Sequence, residues 1–485
     1  MGSFYVENFG CRATQADGAA IERQFRERGL ERAGAPGEAE IVVLNTCTVT
    51  AAADQDARAA IRRIHRENPG CQIVVTGCYA QRAPEELAVL PGVARVIGNS
   101  HKHQLAQLAL AHSAAKAGLL WEHSAWLKPC PDTEQAGGFV PLTKLTACDQ
   151  RPAANDQRLV FVSDIFAHTE LLAAPVFDAA SERTRPNLKV QDGCDNRCSF
   201  CVIPYVRGQS RSLKLEAVLR EVDALVASGY REVVISGINL GRWGRDLAVS
   251  HQPSAIRKSA RQMRFEDLVR SILERTSLEK LRISSVEPMD WSDELLRLVA
   301  ESPRVAKHAH VPMQSGSDRV LRAMHRKYRP WHYREKILRI REAMPTAAIG
   351  ADVMVGFPGE TDADFGETRR MVEELPFTYL HVFTYSARPG TPAAAMRNQV
   401  PVQVARERNR MLRELAAAKK QEFMRSFVGK AVEAITLSTF ECERTEALTS
   451  NYLKVRVTGR HEANRWIRVL VEGVEDGTLL GRDWA

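Results

Sequence analysis

The sequence predicts an α/β chain built in three parts: an open parallel sheet, a partial barrel of six strand–helix units, and a small closed β-barrel. Three observations carry that reading. Residues 1 to about 115 alternate strand-like and helical patterns. Six further strand-like runs, most of them separated by helical patterns, follow from Asn187. About the last 55 residues turn to short alternating strands closed by glycine turns. A length of 485 residues allows roughly three domains and a large core.

In the first part the strands are Phe4–Val6, Ile41–Leu44, Ile73–Val75 and Val93–Ile97. Between them, Ile21 and Phe25 mark one helix face, and Ala57, Ile61 and Ile64 mark another that stops at Asn68-Pro69-Gly70. This alternation implies a doubly wound parallel sheet, and such sheets gather their ligands beyond the carboxyl ends of the strands. Cys11, Cys47 and Cys78 each fall there, in Phe9-Gly10-Cys11, Asn45-Thr46-Cys47 and Thr76-Gly77-Cys78. One buried free cysteine is ordinarily a small hydrophobe. Three at equivalent strand ends point instead to three thiolates for one metal cluster. Cys71 begins the strand that Cys78 follows, on the order of 20 Å away along it, so it reads as packing. So do Cys130, Cys148 and Cys442, which lack any partner spacing.

Residues 116 to 185 carry Pro129-Cys130-Pro131 and Gly137-Gly138 with broken periodicity, and read as a linker or insertion. The rhythm resumes in Leu188–Gln191, Glu232–Ser236, Leu281–Ser285, His308–Val311, Ala351–Val355 and Tyr379–Phe383. Helical patterns such as Leu213–Ala227, Phe265–Leu273, Asp290–Ala300, His332–Met344 and Phe365–Leu375 separate most of them. Six such units make an open, partial barrel, whose functional groups sit after the strands' carboxyl ends. After the first strand comes Gly193-Cys194-Asp195-Asn196-Arg197-Cys198-Ser199-Phe200-Cys201. The C-x3-C-x2-C spacing supplies three thiolates to a [4Fe-4S] cube and leaves one iron open to chelate an amine and a carboxylate. Structural zinc wants four closed ligands, usually with paired C-x2-C spacing, and no fourth ligand sits nearby. Later strand ends offer Gly237, Asn239, Ser285, Gln314, Ser315 and Gly356. Glycine lets backbone approach a ligand closely and the polar side chains offer hydrogen bonds, so these six are the expected cofactor contacts of a nucleoside pocket.

The formal net charge of +8 is consistent with a polyanionic partner. Residues 401–430 form an expected helix with eight Lys or Arg against three acids, a pattern that suits either a solvated face or RNA. Arg257, Lys258, Arg261 and Arg264 make another acid-free run, and Arg326, Lys327 and Arg329 interleave with Tyr328, Trp331 and Tyr333, as phosphate contact and base stacking would require. Tyr452–Val457 and Trp466–Val471 are the clearest strands of the small β-barrel. Ten cysteines are too sparse for a disulfide scaffold. With no apolar signal segment and no stretch long enough to span a membrane, the expectation is a cytoplasmic protein with no membrane partner.

The thiol loop resembles the signature of the radical S-adenosylmethionine enzymes. Together with the earlier cysteines, the resemblance extends over nearly the whole chain to the radical S-adenosylmethionine methylthiotransferases. Gln191-Asp192-Gly193-Cys194-Asp195, Arg282-Ile283-Ser284-Ser285-Val286-Glu287-Pro288 and Tyr385-Ser386-Ala387-Arg388-Pro389-Gly390-Thr391 most resemble the branch acting on threonylcarbamoyladenosine in tRNA. The resemblance departs at Arg12-Ala13-Thr14-Gln15, where the family more often has Asn before the Gln. It implies a flavodoxin-like N-terminal domain over 1–115, a linker or insertion over 116–179, a radical SAM core with a partial (β/α)6 barrel over 180–415, and a TRAM-like RNA-binding domain over 416–485. It also implies two [4Fe-4S] clusters, an auxiliary one on Cys11, Cys47 and Cys78 and a catalytic one on Cys194, Cys198 and Cys201. The catalytic cluster would pass an electron to S-adenosylmethionine and release a 5′-deoxyadenosyl radical. The auxiliary cluster would supply sulfur, methylated by a second S-adenosylmethionine, so that a methylthio group replaces hydrogen at C2 of the modified adenosine at position 37, beside the anticodon. The implied partners are tRNA, an electron donor and a sulfur source. Sister activities, on isopentenyladenosine in tRNA or on an aspartate of a ribosomal protein, are the alternatives. From a different class, a non-catalytic iron–sulfur RNA-binding protein would usually close each cluster with four protein ligands.

Overall fold

The computed structural model describes residues 2–111, 159–168, 171, 185–247 and 262–484. Cys130, Cys148, Arg257, Lys258 and Arg261 lie outside them. The chain separates into two compact units, one of Met1–Phe9, Ile21–Thr48 and Ala52–Ile165, the other of Gly10–Ala20, Val49–Ala51 and Phe166–Ala485.

The first unit is a six-stranded parallel sheet of β1 (Ser3–Asn8), β2 (Glu31–Arg32), β3 (Ile41–Thr46), β4 (Gln72–Gly77), β5 (Val93–Gly98) and β6 (Leu159–Phe161), in the order β2-β1-β3-β4-β5-β6. Every residue of β3 is buried, the continuous pattern of a strand covered on both faces. Ala57, Ile61 and Ile64 cover one face against Val42, Leu44 and Val75. Ile21, Phe25 and Leu105 cover the other against Phe4, Val43 and Val74. The strand β6 falls in the stretch read as a linker. Three residues are too few to show a period, and it is the ladder with β5 that orders them.

The second unit holds β7 (Asn187–Lys189), the short antiparallel pair β8 (Gln191–Asp192) and β9 (Arg211–Ser212), then β10 (Glu232–Ser236), β11 (Lys280–Ile283), β12 (His308–His310), β13 (Ala348–Val355) and β14 (Tyr379–Thr384). Two parallel ladders, β7-β10-β11 and β12-β13-β14, are joined by isolated parallel bridges at Leu281–Val305 and Ser285–His310. The result is one open array of six parallel strands. Helices Leu215–Ala227, Phe265–Arg275, Asp293–Glu301, Pro330–Ala343 and Asp362–Glu374 follow their strands and bury one apolar stripe each.

A closed barrel, β15 (Ala431–Glu441), β16 (Arg444–Thr449), β17 (Lys454–Thr458), β18 (Trp466–Glu475) and β19 (Thr478–Asp483), ends the chain in the order β15-β16-β17-β19-β18. The helix Val402–Arg425 leads into it, and Met424 and Phe427 fill its core. Arg282 of β11 holds it in place: its guanidinium, buried against Glu232, donates to the carbonyls of Ser450 at 3.1 Å and Thr449 at 3.2 Å. Lys280 pairs with Glu433 at 2.9 Å. Cys442 is exposed in the turn between β15 and β16 at φ 50°, so it does not pack as its lack of partner spacing had implied.

Beneath the thiol loop lies a closed set of four charges. Lys189 pairs with Asp17 and, at 2.9 Å, with Asp192, while Arg207 donates to Asp192 at 2.9 Å and to Asp17 at 3.0 Å. Asp17, Lys189 and Arg207 are all about 2% exposed or less in their side chains. Burial raises the Asp192 carboxyl, but Arg207 and Lys189 outweigh it and hold the group well below the usual carboxylate range. Removing one member leaves opposite charges buried and under-matched. Asp17→Ala is therefore expected to cost about 3–5 kcal/mol, read as a lower urea midpoint.

Candidate functional site

The first barrel strand delivers the thiol loop, and the quartet fixes where that loop begins. Asp192 accepts from the Gly193 amide at 2.8 Å, and Gly193 has φ 71°. A Cβ at Gly193 would meet the Gln209 carbonyl oxygen at 1.9 Å, so only glycine fits. The Cys194 amide donates to the Gly208 carbonyl, and Ser199 donates through its amide and hydroxyl to the Met324 and Ala323 carbonyls. With both ends stapled, Cys194, Cys198 and Cys201 line one cavity of about 520 Å³.

The sulfurs sit among donors. The Asn196 amide lies 3.4 Å from Cys194 Sγ, the Asn239 amide nitrogen 3.6 Å from it, and an Arg326 guanidinium nitrogen 3.3 Å from Cys198 Sγ. Burial pushes the Cys194 thiol up to about 11 and the Cys201 thiol up to about 12. At neutral pH these thiols keep their protons, and ligation of a cation is what removes them. Three sulfurs in one loop, each reachable from the same cavity and two of them hydrogen-bonded by N–H groups, fit a three-thiolate iron–sulfur cluster. The cavity wall also carries buried oxygens, Ser236 Oγ and Asn239 Oδ1, with no hydrogen-bond partner among the described residues. Such atoms can bond a polar group or a water that enters the cavity.

Of the expected cofactor contacts, Gly237, Asn239, Ser285 and Gln314 line the cavity. Gly237 has no room for a side chain, since a Cβ would meet Gln191 Oε1 at 2.7 Å. Ser315 and Gly356 are placed elsewhere. Ser315 bonds Thr368 at 3.1 Å, and Gly356 packs on the helix Val402–Arg425, where a Cβ would meet the Ala405 Cβ at 2.6 Å. Cys47 and Cys78, both buried, follow the neighbouring strands β3 and β4 one residue beyond the Thr46–Gly77 pair. Cys11 belongs to the second unit and lines the cavity with the loop thiols.

Other residues of the cavity carry no local sequence signal. Arg326 is not the surface cation that its basic, aromatic neighbourhood suggests. It is buried against Glu287 and Cys198. Tyr328 and Tyr333 are likewise core residues whose hydroxyls donate to the Met313 carbonyl and the Val311 carbonyl, each at 2.7 Å. On the far wall, the Tyr379 hydroxyl lies 2.7 Å from His308 Nε2 and 2.9 Å from His310 Nδ1. Gly350 makes room for that ring, because a Cβ there would meet it at 2.0 Å. Asp352 pairs with His310 at 3.1 Å and His381 at 3.4 Å, and although burial raises its carboxyl, these two histidines hold it below the usual range.

An open parallel barrel with three thiols in the loop after its first strand is the architecture of a radical S-adenosylmethionine enzyme. Residues 3–98 match the family described as Uncharacterized protein family UPF0004, and residues 188–372 match the Radical SAM superfamily. The threonylcarbamoyladenosine tRNA methylthiotransferases MtaB of Aquifex aeolicus and Bacillus subtilis are each 33% identical, over 96% and 95% of this chain and 99% and 92% of theirs. The tRNA-2-methylthio-N(6)-dimethylallyladenosine synthase of Thermobifida fusca is 31% identical over 97% of this chain and 84% of its own. The structure of the radical S-adenosylmethionine methyltransferase TsrM from Kitasatospora setae, with cobalamin and a [4Fe-4S] cluster bound, shares the fold at TM-score 0.52 and 15% identity, covering 81% of this chain and 74% of that one. The chain belongs to the radical S-adenosylmethionine methylthiotransferase family.

Replacing Cys194, Cys198 and Cys201 together by Ala should lower the iron content of anaerobically reconstituted protein by about four per chain, measured by colorimetric iron assay.

Proposed function

We propose that this chain installs a methylthio group at C2 of N6-threonylcarbamoyladenosine beside the anticodon of tRNA. The observation that carries this reading is the cavity itself. One wall is the thiol loop, and the other is a set of cationic, imidazole and phenol groups that suits a polar nucleoside. Full-length similarity to relatives named for that reaction supports the substrate. The bound cluster and S-adenosylmethionine supply one-electron chemistry for removing hydrogen and inserting sulfur. The protein's residues do the rest. Cys194, Cys198 and Cys201 would hold the cluster, Asn239 and Arg326 donate to the cysteine sulfurs of Cys194 and Cys198, and Gly237, Asn239, Ser285 and Gln314 shape the wall that would receive the cofactor.

Cys11, Cys47 and Cys78 are the proposed ligands of a second cluster that donates sulfur. Their support is position, just beyond β1, β3 and β4, which are neighbours in the sheet. Replacing these three by Ala should leave reductant-driven formation of 5′-deoxyadenosine from S-adenosylmethionine and abolish methylthio transfer to tRNA. Persistent transfer would remove them from sulfur donation. Iron should fall from about eight per chain to about four.

The terminal barrel is the proposed tRNA contact. Deleting residues 430–485 tests this poorly, because it would strip the buried Arg282 and Lys280 of partners. The helix before the barrel also offers less free charge than its composition implies. Arg408 is buried against Glu360, and Arg410 pairs with Glu407 and Glu414. Arg460 and Arg468 are exposed, and among the described residues neither has an acid within ion-pair distance. Arg460→Ala and Arg468→Ala should each lower the slope of log affinity for tRNA against log salt by about one. An unchanged slope would move phosphate contact elsewhere.

A further inference from the structure

Charged groups that face a cavity in a folded protein are normally matched, because an unmatched one loses hydration without compensation. In this cavity Glu287 faces Arg326, and Asp352 faces His310 and His381. Arg12 differs from these, being exposed at the cavity and so hydrated in the free protein. Among the described residues no carboxylate lies within ion-pair distance of it, and its guanidinium donates instead to a neutral group, the Tyr452 hydroxyl, at 3.1 Å.

Arg12 and Tyr452 are both held in position. The Arg12 carbonyl accepts from Asn187 Nδ2 at 3.1 Å, tying it to the first barrel strand. Tyr452 sits at φ 67°, an uncommon conformation for a tyrosine, fixed by the Arg282 guanidinium that lies over its ring at 5.3 Å and bonds the carbonyls of Thr449 and Ser450 just upstream. Its ring packs against His308 at 5.0 Å and Tyr379 at 6.3 Å between centroids. Burial pushes His308 well below its usual value, so it stands neutral beside them as a hydrogen-bonding wall. A fork of N–H donors with one neutral acceptor, set in a rigid aromatic frame, is suited to a planar anion.

We propose that Arg12, braced by Tyr452, is the subsite for a carboxylate carried on the N6 arm of the substrate adenosine. This inference rests on the proposed function, and it makes Arg12 the specificity-determining residue for that reaction. The threonyl group of threonylcarbamoyladenosine ends in a carboxylate, whereas a dimethylallyl arm is wholly apolar. An arm that displaces water from this exposed guanidinium must replace the lost hydrogen bonds, which a carboxylate does and an apolar arm does not.

The test measures binding to the reconstituted enzyme of tRNA carrying threonylcarbamoyladenosine, and of the same tRNA with that carboxylate replaced by its isosteric carboxamide. The wild-type enzyme should bind the acid at least about tenfold more tightly than the amide. Arg12→Ala and Arg12→Gln should bind both equally, with the loss appearing in KM for the acid rather than in kcat, and Arg12→Lys should recover part of the preference. Equal binding of acid and amide by the wild type overturns the subsite. So does an undiminished preference in Arg12→Ala. If the wild type fails to methylthiolate tRNA carrying threonylcarbamoyladenosine at all, the proposed function falls as well, whereas methylthiolation with unchanged discrimination in Arg12→Ala removes the subsite alone.

Discussion

Four charges with almost no access to water set the position of the chemistry in this chain. Desolvating Asp17, Lys189, Asp192 and Arg207 costs several kcal/mol for each ion, and only simultaneous pairing around the closed ring offsets it. That requirement admits few geometries. The first barrel strand, through Lys189, the helix Arg12–Arg26, through Asp17, and the short helix Ile203–Arg207 must arrive together, or a charge is stranded. Apolar residues of similar size would tolerate a slipped register; this ring does not. Asp192 then passes the constraint directly to the Gly193 amide, one residue before the first thiol.

From there the thiol loop inherits a defined electrostatic setting. Burial, reinforced by the neighbouring Cys198, lifts the Cys194 and Cys201 thiols further above the ordinary thiol range, so at neutral pH they hold their protons firmly. Ligation would exchange those protons for metal charge, and the N–H donors and the Arg326 guanidinium beside the cysteine sulfurs would temper the negative charge left there. Glu287 takes the other terminal nitrogen of Arg326, so that cation is matched by a carboxylate as well as by the Cys198 sulfur. The cavity is thus prepared for a cluster rather than merely large enough for one.

The parts of this arrangement that were legible in sequence share one property: they are local. Short continuous apolar runs mark Ile41–Leu44 and Glu232–Ser236 as strands, the C-x3-C-x2-C spacing marks the loop, and strand ends locate Gly237, Asn239 and Gln314. What was illegible depends on residues distant in sequence meeting in space. Arg326 lies in a run whose Lys, Arg and aromatic composition suits RNA, yet its environment is set by Cys198, 128 residues earlier, and Glu287, 39 residues earlier. Tyr328 and Tyr333 were misleading for the same reason, since their buried rings and their bonds to Met313 and Val311 follow from the packing of the barrel strand. Ser315 and Gly356 follow strands at the proper end, but adjacency to a strand end does not decide whether a residue turns toward the cavity or into a neighbouring helix.

Tyr452 shows what such distant meetings achieve. The terminal barrel is fastened to β11 by Arg282 and Lys280, and the same Arg282 that grips the carbonyls of Thr449 and Ser450 lies over the Tyr452 ring. A domain hung on a loose tether would have to find the cavity anew with each substrate, at an entropic cost. Here the β-barrel cannot shift without unburying two cations, so its exposed basic strands keep a fixed separation from the cavity that the Tyr452 ring lines. If RNA is held by those strands, its reactive nucleoside must enter at that separation and no other. Substrate choice then depends on two independent matches, backbone charge on the barrel surface and the chemistry of the base's own arm against Arg12, and neither alone suffices.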